Sequence, residues 1–284
     1  MKYETILLEK KQHVGILTMN RPDDGNRETV QMHEEMLAAM ETFNEDNEIR
    51  TVIITGSGKD FCHGASYQRF DDVTPFELMD VYQEVEIWRT KMMDYPKPTI
   101  AAVNGMAQAS GAHIAYNCDI TIMEEDAIIA ANAVDAGIPC MKSFQKIRRM
   151  IGHKKALQLV MTGEFWSAKD AERFGLINYI APKGKLMKFT MEKANLIASK
   201  NPIGMRFLKN TIRITRDMGI YATGEFSNTL IPMLMLAEDT QEAMNAMAEG
   251  RKPNFKNSDI IYKPWAKNSG KVSKERDKDG VLCA

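Results

Sequence analysis

Cysteine is scarce in this chain. Four of its 284 residues are cysteines (Cys62, Cys118, Cys140 and Cys283), with no CxxC pair and no Cys/His cluster at metal-ligand spacing. A disulfide framework and a structural metal site are thereby excluded as organising principles, and reduced thiols of a cytoplasmic protein are expected. Long apolar runs are also missing: none approaches the ~18 residues a membrane span requires. Glu4 and Glu9 interrupt the first apolar stretch, which argues against a secretory leader. Charge of one sign does not accumulate, since the net charge is −1. No global field then draws the chain to nucleic acid or to an anionic membrane, and neither partner is expected. Phosphate-loop, GxGxxG, HExxH and GxSxG patterns are absent, which disfavours nucleotide hydrolysis, dinucleotide redox chemistry, zinc proteolysis and nucleophile-elbow hydrolysis.

What is present is a strong alternation of strand and helix patterns. Hydrophobic residues make up 44% of the chain, enough to bury a sizeable core. Tyr3 to Leu8 and Val14 to Thr18 read as an edge hairpin around the polar Glu9 to His13. Val30, Met32, Met36, Leu37, Met40 and Phe43 form a helical stripe, followed by an apolar strand, Thr51 to Thr55. A helix is expected from Pro75 to Tyr95, stopped by Pro96 and Pro98, and a central strand at Thr99 to Val103. Strands at Asp119 to Met123 and Ala127 to Ala131 follow. Helices are then expected at Ser143 to Ile151, Lys154 to Met161 and Ala168 to Phe174, with a strand at Leu176 to Ile180 and helices onward to Gly250. Single strands alternating with helices imply parallel pairing with right-handed crossovers.

Two small-residue turns stand out. Phe61-Cys62-His63-Gly64-Ala65-Ser66 follows the strand at 51, and Asn104 to His113 follows the strand at 99, with a helical pattern starting near Ser110. A helix start leaves backbone N–H groups without intrahelical partners, and these hold negative charge well. Two such donors side by side make an oxyanion hole.

At these turns the sequence resembles the crotonase, or enoyl-CoA hydratase/isomerase, family. Phe61 to Ser66 is similar to the family's Phe-x-Ala-Gly-Ala-Asp, and Asn104 to Gly111 to its Asn-Gly-x-Ala-x-Gly-Gly-Gly, with Ala109 and Ser110 where glycines usually stand. Asn20-Arg21-Pro22, Cys118-Asp119-Ile120, Gly137-Ile138-Pro139, Met161-Thr162-Gly163 and Phe174 to Ile177 extend the resemblance over nearly the whole chain. The resemblance implies an α/β crotonase spiral of ββα units with a helical C-terminal region. Residues 1–200 would form the spiral core, 201–256 a trimerisation or lid region, and 257–284 a polar tail. It also implies an acyl-CoA thioester substrate, with coenzyme A carried as part of the substrate and no separate cofactor. The expected assembly is a homotrimer or hexamer, to which the stripe Leu230, Met233, Leu234 and Ala237 is suited. Ala65 and Ser110 would supply the oxyanion-hole amides, with Cys62, Ser66, Gly111, Asn132 and Ala133 lining the substrate site.

The departures bear on mechanism. The positions of the family's two catalytic glutamates are occupied by His113 and Ala133, so the usual acid/base pair of a hydratase is lost. A neutral imidazole is a competent base near neutral pH, which makes His113 the candidate general base. His33 resembles a histidine in the same helix of crotonase-fold β-diketone hydrolases of the 6-oxocamphor hydrolase type. His63, in the first turn, and Asp135, near Ala133, complete the candidate catalytic set. Asn26-Arg27-Glu28 falls on the family's Asn-Ala-Leu segment, with Asn26 retained and no role assigned to Glu28. Arg21, Arg27, Lys59 and Arg69 are bases near the first turn, and Met205, Met218, Met233 and Met235 are suited to line an acyl cavity.

Three functions follow as alternatives. One is a divergent acyl-CoA enzyme of hydratase, isomerase (lyase-like) or hydrolase type. Another is a CoA-independent β-diketone hydrolase using His113 and His33. The last is a catalytically silent acyl-binding protein of the same fold.

Overall fold

The computed structural model describes residues 3–66, 74–138 and 141–257. The edge hairpin is present, with β1 (Ile6–Lys11) antiparallel to β2 (Val14–Met19). Its turn is only Gln12 and His13, with Gln12 at φ 54°, so Glu9, Lys10 and Lys11 belong to the strand. Charged side chains on an edge strand discourage pairing with another sheet. Thr29 caps α1 (Val30–Glu45) by accepting from the Met32 N–H, and α1 leads to β3 (Thr51–Gly56). A capping box at Thr74 and Glu77 starts α2 (Pro75–Met93), which returns the chain to β4 (Thr99–Val103).

Two short strands escaped the sequence pattern because they span only a few residues each. They are β5 (Met106–Gln108), before α3 (Ser110–Asn117), and β8 (Trp166–Ser167). Between them lie β6 (Ile120–Glu124), β7 (Ile128–Ala130), a 3-10 turn at Asn132–Ala136, α4 (Met141–Ile151) and α5 (His153–Thr162). After β8 come α6 (Ala168–Phe174), β9 (Tyr179–Ala181) and α7 (Leu186–Ala198). The main sheet has the order β1-β2-β3-β4-β6-β9, and every pair after the hairpin is parallel.

Alternation along the strands divides the core. Ile53, Ile100, Ala102 and Ile122 face α7, through Leu186 and Ala194. Val52, Ile54, Ala101, Val103 and Met123 face the other way, onto Met32, Met36 and Met40 of α1 and Trp88 and Met92 of α2. Each fully buried aliphatic side chain contributes about 1.5–3 kcal/mol, so this sandwich supplies most of the driving force for folding.

The second sheet, β5-β7-β8, fixes the position of the turns. β4–β5–α3 and β6–β7–α4 are successive ββα coils, with β5 parallel to β7. The segment after β3 copies the pattern: Cys62 forms a parallel bridge with Ala107, and Ala65 one with Glu28. Corresponding turns of neighbouring coils are therefore stacked. This is the ββα spiral that the resemblance implied.

The C-terminal helices are α8 (Pro202–Thr215), α9 (Ile220–Met235) and α10 (Glu238–Ala248). Pro202 starts α8 and Gly219 precedes α9, so the two divide this region into separate helices. The segment after α10 returns to the core. Arg50 donates to the Phe255 carbonyl at 2.9 Å, and Asp239 accepts from the Lys256 and Asn257 amides at 2.8 and 2.9 Å. Met218, Met233 and Met235 are exposed in the single chain, as are Ile220, Tyr221, Ile231 and Leu236. No described helix is long and apolar enough to cross a membrane. Arg69, Pro139, Cys140, Cys283 and all but the first residue of the polar tail lie outside the described residues.

Candidate active site

The first turn is held by backbone on both sides. The Cys62 N–H donates to the Met106 carbonyl and the Gln108 N–H to the Cys62 carbonyl, each at 3.0 Å. Further on, the Glu28 N–H donates to Gly64 and the Ser66 N–H to Glu28, each at 2.9 Å. That parallel register turns the N–H of Ala65 away from Glu28. Buried Asn26, at φ 53°, ties the preceding loop down by donating to the carbonyls of Ser57 and Asp60 at 2.9 and 2.8 Å.

The second turn packs directly on the first. Ala109 caps α3 at φ 49° and ψ −119°, which makes Ser110 the first helical residue, its N–H without an intrahelical acceptor. Gly64 has φ 88°, and a Cβ there would lie 3.1 Å from Ala109 Cβ and 3.4 Å from Ser110 Oγ. A Cβ on Gly111 would come within 2.7 Å of Cys62 Cβ and 2.8 Å of Cys62 Sγ. Both glycines are therefore what lets the turns touch.

Beneath this contact lies Glu28, 3% exposed, at the position where the resembled family has leucine. Its Oε2 is 2.7 Å from His33 Nε2 and its Oε1 is 3.9 Å from Cys62 Sγ. Burial alone would raise its pKa. The His33 ring, the Ser110 hydroxyl and the charge of Arg89 outweigh burial and hold the carboxyl below the usual glutamate range. An ionised carboxylate only accepts hydrogen bonds, so His33 donates from Nε2 and Nδ1 is left as its basic nitrogen. The imidazole stacks on the indole of Trp88, with ring centroids 5.5 Å apart and planes at 21°. Burial, and then the Glu28 charge, pushes the Cys62 thiol up well above its ordinary value, so it stays protonated.

His113 sits one turn into α3. Ser143 Oγ from α4 lies 2.7 Å from its Nε2 and 3.0 Å from its Nδ1, and the Tyr116 ring is tilted against it at 5.3 Å. Burial, followed by the charge of Arg89, lowers its pKa to about 3; Glu28 opposes that shift and Lys146 adds to it. The ring is neutral through the physiological range. The charges of Glu28 and Arg89 act on His113 in opposite senses.

The remaining candidates have other side-chain surroundings. His63 pairs with Asp60, Nε2 to Oδ2 at 3.1 Å, and its ring packs against Gly25. Asp60 also accepts from the Met106 N–H at 2.9 Å, which makes it a strut between the turns. Ser66 is exposed beside the first turn. In the 3-10 turn, Asn132 Nδ2 points at exposed Asp135 at 3.4 Å, and Ala133 packs against the main core. Arg21 and Arg27 approach Asp24 at 2.9 and 3.6 Å. Lys59 helps to line a cavity of ≈ 560 Å³, together with Asp60, Asn104, Glu124, Asp126 and Lys183.

Sequence reasoning missed Glu28, although its signal was there: a carboxylate at a leucine position, five residues before a histidine. A carboxylate there is invisible as a site until the chain is folded, because its other neighbours, Cys62 and Ser110, come from distant coils.

Stacked ββα coils that press two glycine-bearing turns together define a crotonase-type α/β protein. Residues 9–258 match the family model described as enoyl-CoA hydratase/isomerase, and the chain belongs to that family. It is 32% identical over 256 residues to a probable mitochondrial enoyl-CoA hydratase of Dictyostelium discoideum, spanning 89% of this chain and 91% of the relative. A probable enoyl-CoA hydratase of Mycobacterium tuberculosis is 32% identical over 258 residues, spanning 90% and 99%. Among solved structures, an enoyl-CoA hydratase from Bacillus anthracis superimposes with a TM-score of 0.84 at 26% identity, covering 90% of this chain and 100% of that one.

Proposed function

We propose that this chain is an enzyme acting on acyl-CoA thioesters. The thioester oxygen sits between the N–H groups of Ala65 and Ser110, and the imidazoles of His113 and His33 do the proton work of the missing carboxylates. The observation that carries this reading is the contact of the two turns at Gly64, Ala109 and Ser110, with Glu28 bridged to Ala65 and paired with His33. In such a site each oxyanion donor is worth about 2.7–4 kcal/mol of transition-state stabilisation. The similarity to probable enoyl-CoA hydratases supports a hydratase or isomerase type of reaction. Cys62, Gly111, Ser66, Asn132 and Ala133 remain the proposed lining of the substrate site, and Lys59 a proposed contact for the CoA moiety.

The Glu28–His33 pair favours a second reading, a CoA-independent β-diketone hydrolase in which water activated by imidazole attacks a ketone and the oxyanion hole takes the enolate. Calorimetry and turnover assays with CoA, crotonyl-CoA and cyclohexane-1,3-dione separate the readings. Crotonyl-CoA binding and turnover support the first; diketone cleavage without CoA supports the second. Inertness toward all of them leaves a silent acyl-binding protein of the same fold. Under the first reading, His113→Ala abolishes turnover of crotonyl-CoA while the protein stays folded, and an unchanged rate removes His113 from the mechanism.

A further inference from the structure

The division of labour between the two imidazoles is not given by the family pattern, since neither stands alone as the usual carboxylate would. Their surroundings differ sharply. His113 is held by burial and by nearby positive charge in a weakly basic state, with a serine hydroxyl as its neighbour. His33 instead has an ionised carboxylate 2.7 Å from Nε2 and an indole stacked on its face. Glu28 in turn is bridged through its backbone to Ala65, a residue proposed to hold the oxyanion, and its carboxylate lies 3.9 Å from the Cys62 thiol, which stays protonated. A buried carboxylate with no catalytic duty is costly, and replacement by an apolar side chain is often neutral or stabilising. Its presence at a family leucine position calls for a function.

Resting on the acyl-CoA reading above, we infer that Glu28 and His33 form the proton-transfer couple of this site, with His33 as the base and Glu28 as its positioning residue. Glu28 fixes the tautomer with the proton on Nε2 and the lone pair on Nδ1. In the step, the bond between the substrate α-carbon and its hydrogen breaks and the proton goes to His33 Nδ1. The electron pair left on carbon moves into the enolate, whose oxygen is held by the amides of Ala65 and Ser110. Glu28 stabilises the imidazolium so formed, and the proton then returns from Nδ1 to the substrate. His113 is not the acceptor in this exchange step and keeps its proposed role as the base for the water that adds at the neighbouring carbon. Among the described residues, the charged and titratable groups that act on the couple include Arg89 from α2, Cys62 from the first turn, and His113 from α3.

The test uses the full chain with butyryl-CoA in deuterium oxide, following α-proton exchange by NMR, and with cyclohexane-1,3-dione as a second probe. His33→Gln is expected to slow exchange at least a hundredfold, with KM changed less than threefold. Glu28→Gln is expected to lower kcat ten- to a hundredfold and to displace the acidic limb of the pH profile, and Glu28→Asp to restore part of the rate. The imidazole ¹⁵N spectrum supplies a readout independent of turnover: wild type shows His33 protonated at Nε2, and Glu28→Gln shows mixed tautomers. Exchange at the wild-type rate in folded His33→Gln, or a wild-type spectrum with the proton on Nδ1, overturns the couple while the acyl-CoA reading stands. Cleavage of the dione without exchange of butyryl-CoA, lost in His33→Gln, keeps the couple and discards the acyl-CoA reading. Inertness of wild type toward both probes overturns the two together.

Discussion

At the scale of single residues, the two turns meet under strain that can be measured. Ala109 holds φ 49° and ψ −119°, a region that side chains avoid and that costs on the order of 1–3 kcal/mol. Ala109→Gly removes that strain and adds roughly 0.5–1 kcal/mol of unfolded-state entropy. A net gain of about 1 kcal/mol is expected, read as a higher urea midpoint. Gly111→Ala works in the other direction. Its methyl meets Cys62 Cβ and Sγ inside 3 Å, so the turns must separate. Overpacking of this kind costs about 1–3 kcal/mol, and turnover should fall further than stability, because the donor amides lose their spacing.

The neutral state of His113 carries a pH signature. Its ordinary value of 6.5 applies to the unfolded chain and a value of about 3 to the folded one, so between these the unfolded state binds more protons. Stability therefore rises with pH from about 3 to 6.5 and is lost as pH falls, with a limiting slope of about 1.4 kcal/mol per unit. His113→Gln flattens that dependence. Denaturation of wild type and His113→Gln between pH 4 and 7 checks this, and equal dependences of stability on pH in the two proteins would overturn it.

At the scale of elements, much was legible. Thr29, Pro75, Pro202 and Gly219 mark helix starts, and apolar runs mark the parallel strands, because caps and periodicity are local properties. The strands β5 and β8 were not legible, being too short for a period to register. The hairpin turn was set too wide because charged Glu9 to Lys11 read as loop, although an edge strand accommodates them. At the site, small-residue spacing located the two turns and His113. It did not reveal Glu28, whose meaning depends on Cys62 and Ser110 arriving from other coils.

For the whole molecule, α9 has no buried residue among those described, and it exposes Ile220, Tyr221, Ile231 and Met233. So large an apolar surface is unusual for a lone soluble chain. We expect a homotrimer, alone or paired into a hexamer, with α9 covered. Sedimentation velocity should give a multiple of three chains, and Ile231→Glu should shift the distribution toward monomer; a monomeric wild type would rule this assembly out.

The sequence by itself determined the helices, the parallel strands of the main sheet and the two glycine-bearing turns, since each rests on periodicity, capping or backbone freedom within a few neighbouring residues. Only the tertiary structure decided which side chains share the site. The spiral sets His33 and Cys62 about Glu28 and lays Trp88 on the His33 ring, and it directs His63 onto Asp60. The physical reason is that ionisation and tautomer depend on burial and on charges brought from far along the chain, quantities that no local window contains.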